Sequence, residues 1–199
     1  MAKEIERKFR IEPPCDELNT LIKHSPDYAL INQGYLSGAG DVSVFAEGFL
    51  VVDFPTEVYE FKIPQTDAVD ILMELSAEDL QKLRVRTYGS KGFLTIKRKG
   101  DRVAENDEFE FEILFEDAKE LLDLCKYTLQ KLRYIVMNNE DRWEVDLFCG
   151  ALTGLVLAEF EHEEYDTVMN VEIPSWIGYE VTDDKGFSNF ALAKASSED

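Results

Sequence analysis

This 199-residue chain has only two histidines, His24 and His162, and three cysteines, Cys15, Cys125 and Cys149. Neither set has metal-like spacing, so zinc is not expected, and the odd cysteine count reads as reduced packing residues rather than a disulfide framework. Cations are also scarce: 21 Lys and Arg stand against 41 Asp and Glu, a net charge of −20. A field of that sign repels a phosphate backbone, which argues against a general nucleic-acid or anionic-membrane binder. Any phosphate-rich ligand must therefore meet a local concentration of Lys and Arg that the total hides. No apolar run approaches the ~18 residues needed to cross a bilayer, and Met1-Ala2-Lys3-Glu4 leads straight into a strand rather than a signal segment. The chain reads as cytoplasmic. There is no heptad, fixed-period repeat or low-complexity segment, and one domain is the expectation at this length.

What the sequence does have is alternation. In Glu4-Ile5-Glu6-Arg7-Lys8-Phe9-Arg10-Ile11, an extended strand puts Glu4, Glu6, Lys8 and Arg10 on one face and Ile5, Phe9 and Ile11 on the other. The pattern returns at Arg84 and Arg86, at Thr95, Lys97 and Lys99, at Glu108, Glu110 and Glu112, at Lys131 and Arg133, at Glu144 and Asp146, and at Glu159 and Glu161. Between these strands, Asp16 is placed to cap a helix running to about His24, and Asp117 another through Leu121, Leu122 and Leu124. Tyr28–Leu36 reads as a strand, Gly89-Ser90-Lys91-Gly92 as a hairpin turn and 186–195 as a final helix. The block from about 38 to 80 shows little charge alternation. It predicts two strand-like runs, Gly48–Phe54 and Val58–Ile63, then helical spacing with Ser76 as a cap and Asp79 three residues on. It reads as an accessory insertion. Ser196-Ser197-Glu198-Asp199 reads as a disordered tail.

The charges are largely segregated by strand. The bases are Lys8, Arg84, Arg86, Lys97, Lys99, Lys131 and Arg133; the acids are Glu4, Glu6, Glu108, Glu110, Glu112, Glu144, Asp146, Glu159 and Glu161. Two architectures produce such faces: an open antiparallel sheet with its charges solvated, or a closed barrel with its charges turned inward. Segregated bases suit a ligand with several negative charges, and segregated acids suit hard divalent cations that take oxygen ligands. A site holding both suits a metal-bound polyphosphate.

Taken together, Glu4-x-Glu6-x-Lys8, Gln33-Gly34-Tyr35-Leu36, Arg84-x-Arg86, Thr95-Ile96-Lys97, Glu108-Phe109-Glu110, Lys131-x-Arg133-Tyr134, Trp143-Glu144-Val145-Asp146, Ala158-Glu159-Phe160-Glu161 and Glu180-Val181-Thr182-x-Asp184 run in an order that resembles the CYTH domain. This is the triphosphate tunnel metalloenzyme superfamily. The resemblance covers nearly the whole chain except about 38–80. It implies an α+β fold, a closed eight-stranded antiparallel β-barrel forming a charged tunnel with helices packed outside, as a single domain over 1–195. It also implies hydrolysis of inorganic triphosphate to pyrophosphate and phosphate with Mg²⁺ or Mn²⁺ at a two-metal site. The alternatives are class IV adenylyl cyclase, thiamine triphosphatase, or a non-catalytic polyphosphate or nucleotide binder. Carried over by position, Glu159 and Glu161 resemble ligands of the metal that holds the triphosphate, and Glu4, Glu6 and Glu110, with Glu108 nearby, resemble the group that positions a second metal and the attacking water. Asp146 resembles a further acid of the metal set. Lys8, Arg84, Arg86, Lys97, Lys131, Arg133 and Lys185 resemble the substrate-binding cations, and Lys8, Lys131 and Glu110 the catalytic set. Two positions depart from the pattern: Asn106 stands where a base is usual, and Gly186 replaces an arginine. The implied partner is a small-molecule triphosphate, with no nucleic acid or membrane, and the chain is expected to be a monomer or homodimer.

Overall fold

The alternating segments do form strands. A computed structural model describes residues 2–13 and 15–197, so Met1, Pro14 and the tail residues Glu198 and Asp199 lie outside the described residues. In chain order the elements are β1 (Ala2–Ile11), α1 (Asp16–His24), β2 (Tyr28–Tyr35), β3 (Asp41–Phe45), β4 (Phe49–Asp53), β5 (Val58–Lys62), α2 (Gln65–Glu74) and α3 (Ala77–Leu80). There follow β6 (Arg84–Tyr88), β7 (Lys91–Lys99), β8 (Glu105–Ile113), α4 (Phe115–Leu124), β9 (Tyr127–Asn138) and β10 (Asp141–Phe148). The chain continues through β11 (Val156–Glu161), α5 (Tyr165–Asn170), β12 (Tyr179–Glu180) and α6 (Asn189–Ser197).

The hydrogen-bonded order is β11-β10-β9-β2-β6-β7-β8-β1, and β1 pairs back onto β11. This is a closed eight-stranded antiparallel barrel with helices outside. The short β12 adds to β1 at Phe9 and Arg10. The β6–β7 hairpin turns on two residues, Gly89 and Ser90, because Tyr88 pairs with Lys91. Gly89 has φ of +57°, which L side chains rarely adopt.

The chain forms two compact units, one made of Ala2, Asn32–Lys99 and Asp107–Thr128, the other of Lys3–Ile31, Gly100–Asn106 and the chain from Leu129 onward. Each has its own apolar core. In the first, Leu36, Val85, Leu94, Ile96, Phe109 and Phe111 pack with Ala118 and Leu121 of α4 and with Ala68 and Ile71 of α2. In the second, Ile5, Phe9, Val145, Ala158 and Phe160 surround Trp143 and Trp176, with Leu18 of α1 and Val168 of α5. Trp143 meets Trp176 edge-on at 5.8 Å, a favoured arrangement of ring quadrupoles.

Several local expectations are corrected. Asp16 and Asp117 do not cap their helices: Cys15 and Leu114 hold the N-cap positions without side-chain caps, and the two aspartates sit in the first helical turn, where they favour the macrodipole. The accessory segment has a third strand, β3, and forms its own sheet in the order β3-β4-β5. Ser76 and Asp79 do make a reciprocal capping box at the start of α3. Ser196 and Ser197 belong to the last turn of α6, where their hydroxyls donate to the Ala193 carbonyl. Among the described residues no helix is long and apolar enough to cross a membrane.

Candidate active site

The second unit brings the charged faces of β1, β9, β10 and β11 side by side. In register, Lys8 lies opposite Glu159, Glu159 opposite Glu144, and Asp146 opposite Arg133. Arg133 is the hub. Its Nε donates to Asp146 Oδ1 at 2.7 Å, and its Nη2 to Asp146 Oδ2 and Glu159 Oε2, each at 2.6 Å. Its Nη1 donates to Glu144, which also accepts from Arg142. Lys131 Nζ donates to Asp146 Oδ2 at 2.5 Å, and Lys8 Nζ lies 2.9 Å from Glu159 Oε1 and 3.7 Å from Glu6 Oε1.

These charges are out of water: Lys131 and Asp146 are each 1% exposed, Glu159 5% and Arg133 8%. A solvated sheet face is thereby excluded for this group. Each buried ion loses several kcal/mol of solvation, which only close opposite charges and hydrogen bonds offset. The pKa directions follow from that balance. Burial lowers the Lys131 pKa, and Arg133 adds to the effect against the pull of Asp146. For Lys8 burial acts in the same direction, but Glu159 and Glu6 outweigh it and raise the pKa above the usual lysine range. Burial acts to raise the Asp146 and Glu159 carboxyls, yet Arg133 and Lys131 hold Asp146 low, and Lys8 with Arg133 hold Glu159 well below the ordinary range.

The first unit holds a second mixed cluster. Arg84 Nη2 donates to Glu108 Oε1 and Thr95 Oγ1, both at 3.1 Å, and Arg86 Nη2 to Glu110 Oε2 at 2.7 Å. The Thr95 hydroxyl donates onward to Glu110 Oε2 at 2.9 Å, and Lys97 Nζ lies 3.6 Å from Glu108 Oε2. Thr95 and Glu144 are parts of these clusters that were not expected as site residues, although their place on the charged faces is visible in the period of two. Other residues lie elsewhere. Glu4 is buried and accepts from Asn106 Nδ2 at 3.3 Å, so the asparagine at the departing position serves an acid as donor. Glu161 is exposed and lines a cavity of about 380 Å³ with Lys3, Arg142, His162 and Glu163. Lys185 stands exposed on the turn Lys185–Phe187, outside both clusters.

For a divalent cation, the donor chemistry fits. Glu6 and Glu161 are register partners on β1 and β11, as are Glu159 and Glu144 on β11 and β10. Like charges directly opposite are destabilising unless a cation or base stands with them. Among the described residues no three Asp, Glu, His or Cys side chains are gathered as a metal site. Mg²⁺ is commonly held by one or two carboxylates together with substrate phosphates and waters, so carboxylate oxygens are donors of the right chemistry.

No family model matches the chain. Among curated proteins, an inorganic triphosphatase of Acetivibrio thermocellus is 40% identical over 116 residues, 57% of this chain and 72% of that one. Another, of Nitrosomonas europaea, is 33% identical over 120 residues, 58% of this chain and 76% of that one. The chain belongs to the inorganic triphosphatases of the CYTH, or triphosphate tunnel metalloenzyme, superfamily. A solved inorganic triphosphatase structure shares the fold with a TM-score of 0.51 at 26% identity, covering 97% of this chain and 95% of that chain. The fold is thus shared with that solved structure across nearly the full length of this chain.

Proposed function

We propose that this chain hydrolyses inorganic triphosphate to pyrophosphate and phosphate, water supplying the oxygen and protons of the new termini. The observation that carries the reading is the buried network of Lys8, Lys131 and Arg133 with Asp146 and Glu159, since charged side chains are rarely buried unless paired and strongly perturbed titratable groups cluster at functional sites. In the proposed mechanism Arg133 and Lys8 place positive charge beside the phosphates, offsetting the negative charge spread over the transferring phosphoryl group. Lys131, whose pKa burial lowers, is the group proposed to move a proton to the departing pyrophosphate oxygen. Arg84, Arg86 and Lys97 carry the same chemistry and are proposed to bind phosphate oxygens in their own unit. Glu159 and Glu161 of β11, with Glu4 and Glu6 of β1, are the carboxylates proposed to hold Mg²⁺ or Mn²⁺. Such an ion, when bound, lowers the pKa of a coordinated water and neutralises phosphate charge.

The test is phosphate release from tripolyphosphate, thiamine triphosphate and ATP, with Mg²⁺, Mn²⁺ or chelator. Metal-dependent release greatest from tripolyphosphate is expected. Cyclic AMP formed from ATP, or binding of tripolyphosphate without turnover under any metal, would replace this reading with one of its rivals.

A further inference from the structure

The main chain of Lys8 is fixed by a segment near the far end of the sequence. On one side β1 pairs with β11 from Glu6 to Ile11. On its other side the Glu6 N–H donates to the Ala104 carbonyl at 2.9 Å, and β8 begins only at Glu105, so the polar edge of β1 from Lys8 onward needs another segment to satisfy it. That segment is β12 and the two residues after it. The Val181 N–H donates to the Lys8 carbonyl at 2.8 Å, and the Lys8 N–H donates to Thr182 Oγ1 at 3.1 Å. Phe9 and Arg10 then stand in register with Glu180 and Tyr179. A threonine hydroxyl has one proton to give. Here the nearer acceptor is Glu180 Oε1 at 2.7 Å, not the Lys8 carbonyl at 3.5 Å, so the hydroxyl oxygen is left to accept from the Lys8 N–H. Arg7 in turn grips both oxygens of the Glu180 carboxylate. Successive side chains of β1 point to opposite faces. One residue of the strand is thereby pinned to Glu180, while the next presents its buried ammonium to Glu159.

We propose that Thr182 is a positioning residue for Lys8, acting through the β1 main chain, and that Glu180 and Arg7 hold its hydroxyl in the accepting orientation. This rests on the proposed triphosphatase reading, in which Lys8 places positive charge beside the transferring phosphoryl group. A point charge stabilises developing charge only where it is aimed, and a misplacement of about 1 Å can cost on the order of a hundredfold in rate. Losing the Thr182 bond while the Val181 bond remains loosens Lys8 without freeing it, so a smaller loss is expected, roughly tenfold.

The experiment compares variants in phosphate-release kinetics and in amide hydrogen exchange, below the thermal transition of every variant. Thr182→Val keeps the branched shape but removes the acceptor for the Lys8 N–H. Its kcat/KM for tripolyphosphate is expected to fall roughly tenfold, and its Lys8 amide to exchange faster than in wild type. Thr182→Ser keeps the hydroxyl and is expected to stay within about twofold of wild type in kcat/KM, with the Lys8 amide still protected. Tyr179→Phe is the control. It removes the phenol oxygen that accepts from Arg10 Nη1 at 3.1 Å, loosening β12 while leaving both main-chain bonds of Lys8 in place; its kcat/KM is expected to change by less than about twofold. Should Thr182→Val fail to fold, as its thermal midpoint would show, Glu180→Gln loosens the same chain of bonds more mildly, with a loss of roughly threefold expected. An unchanged kcat/KM in Thr182→Val, an equal loss in Tyr179→Phe, or a Lys8 amide whose exchange is the same in all variants overturns the proposal. A wild-type chain that releases no phosphate fails the underlying reading instead, so the two failures are distinct.

Discussion

Lys8 and Glu159 face each other across the β1–β11 ladder, with Nζ and Oε1 2.9 Å apart. Glu159 also takes the Nη2 of Arg133 at 2.6 Å, so one carboxylate ties two cations from two strands. Glu159→Gln leaves both cations facing a neutral amide. Removing one partner of a buried pair typically costs about 3–5 kcal/mol, and the network would lose a carboxylate proposed to hold the metal. The expected outcome is a lowered thermal midpoint together with loss of nearly all metal-dependent phosphate release. A variant that keeps wild-type turnover removes Glu159 from the site.

Glu110 and Glu112 share one face of β8 and predict opposite results. Glu110 Oε2 is approached by Arg86 at 2.7 Å, Thr95 at 2.9 Å and Arg84 at 3.5 Å. Glu112 meets only Lys91 among its described partners, at 3.0 Å, with both side chains more than half exposed. Glu112→Gln should change stability by no more than about 0.5 kcal/mol and leave phosphate release unchanged. Glu110→Gln should cost about 1–3 kcal/mol, because hydrogen bonds from two guanidiniums to a charged group are lost. Equal effects from the two, in chemical denaturation or in turnover, would show that the cluster around Glu110 is no more than a solvated face.

That contrast also marks what the sequence can and cannot reveal. The alternation Glu108-Phe109-Glu110-Phe111 correctly assigns faces, because side-chain direction in a strand depends only on the local backbone. It cannot say which strands become neighbours, so the resemblance implied a shared charged tunnel, and the contacts of Arg133 with Asp146 and Glu159 emerge only in the structure. Asp107 escapes notice in the sequence although it interrupts the apolar face shared by Phe109 and Phe111, since its partner Arg98 lies on another strand. The strand β12 is hidden because two residues are too few to show a period. The aspartates at 16 and 117 fit the cap preference by type, but the helices begin earlier than that preference places them.

Glu180 gives a prediction in pH. Arg7 grips it with Nε on Oε1 at 3.0 Å and Nη2 on Oε2 at 2.7 Å, and the Thr182 hydroxyl donates to Oε1 at 2.7 Å. The Arg7 hydrogen bonds hold the Glu180 carboxyl below its ordinary pKa, against a smaller opposing effect of burial. A carboxyl held low in the folded state contributes stability that is fully present above the unfolded value, about 4.3, and is lost as pH falls through the folded value. Wild type should therefore exceed Glu180→Gln in urea midpoint at pH 7, and the gap should close as pH is lowered below about 4. A gap that stays constant down to about pH 3, below the ordinary carboxylate range, would assign the difference to packing and not to the ion pair.

Gly34 and Cys125 supply a packing prediction independent of the charges. A Cβ placed on Gly34 would come within 2.7 Å of Cys125 Sγ and 2.8 Å of its Cβ, closer than real carbons approach. Burial alone pushes the Cys125 thiol up to about 12, so at pH 8 its reactive thiolate is a minute fraction. In the wild type Cys125 should resist an alkylating reagent at pH 8 until the chain is unfolded. Gly34→Ala forces the β2 backbone and the segment after α4 apart, at a cost of about 1–3 kcal/mol, and should make Cys125 label in the native state. Adding Cys125→Ala to Gly34→Ala removes the sulfur but keeps the Cβ contact, so it should restore only part of the lost stability. Full recovery in that double variant would locate the strain at the sulfur alone, whereas rapid labelling of Cys125 in the folded wild type would contradict its burial.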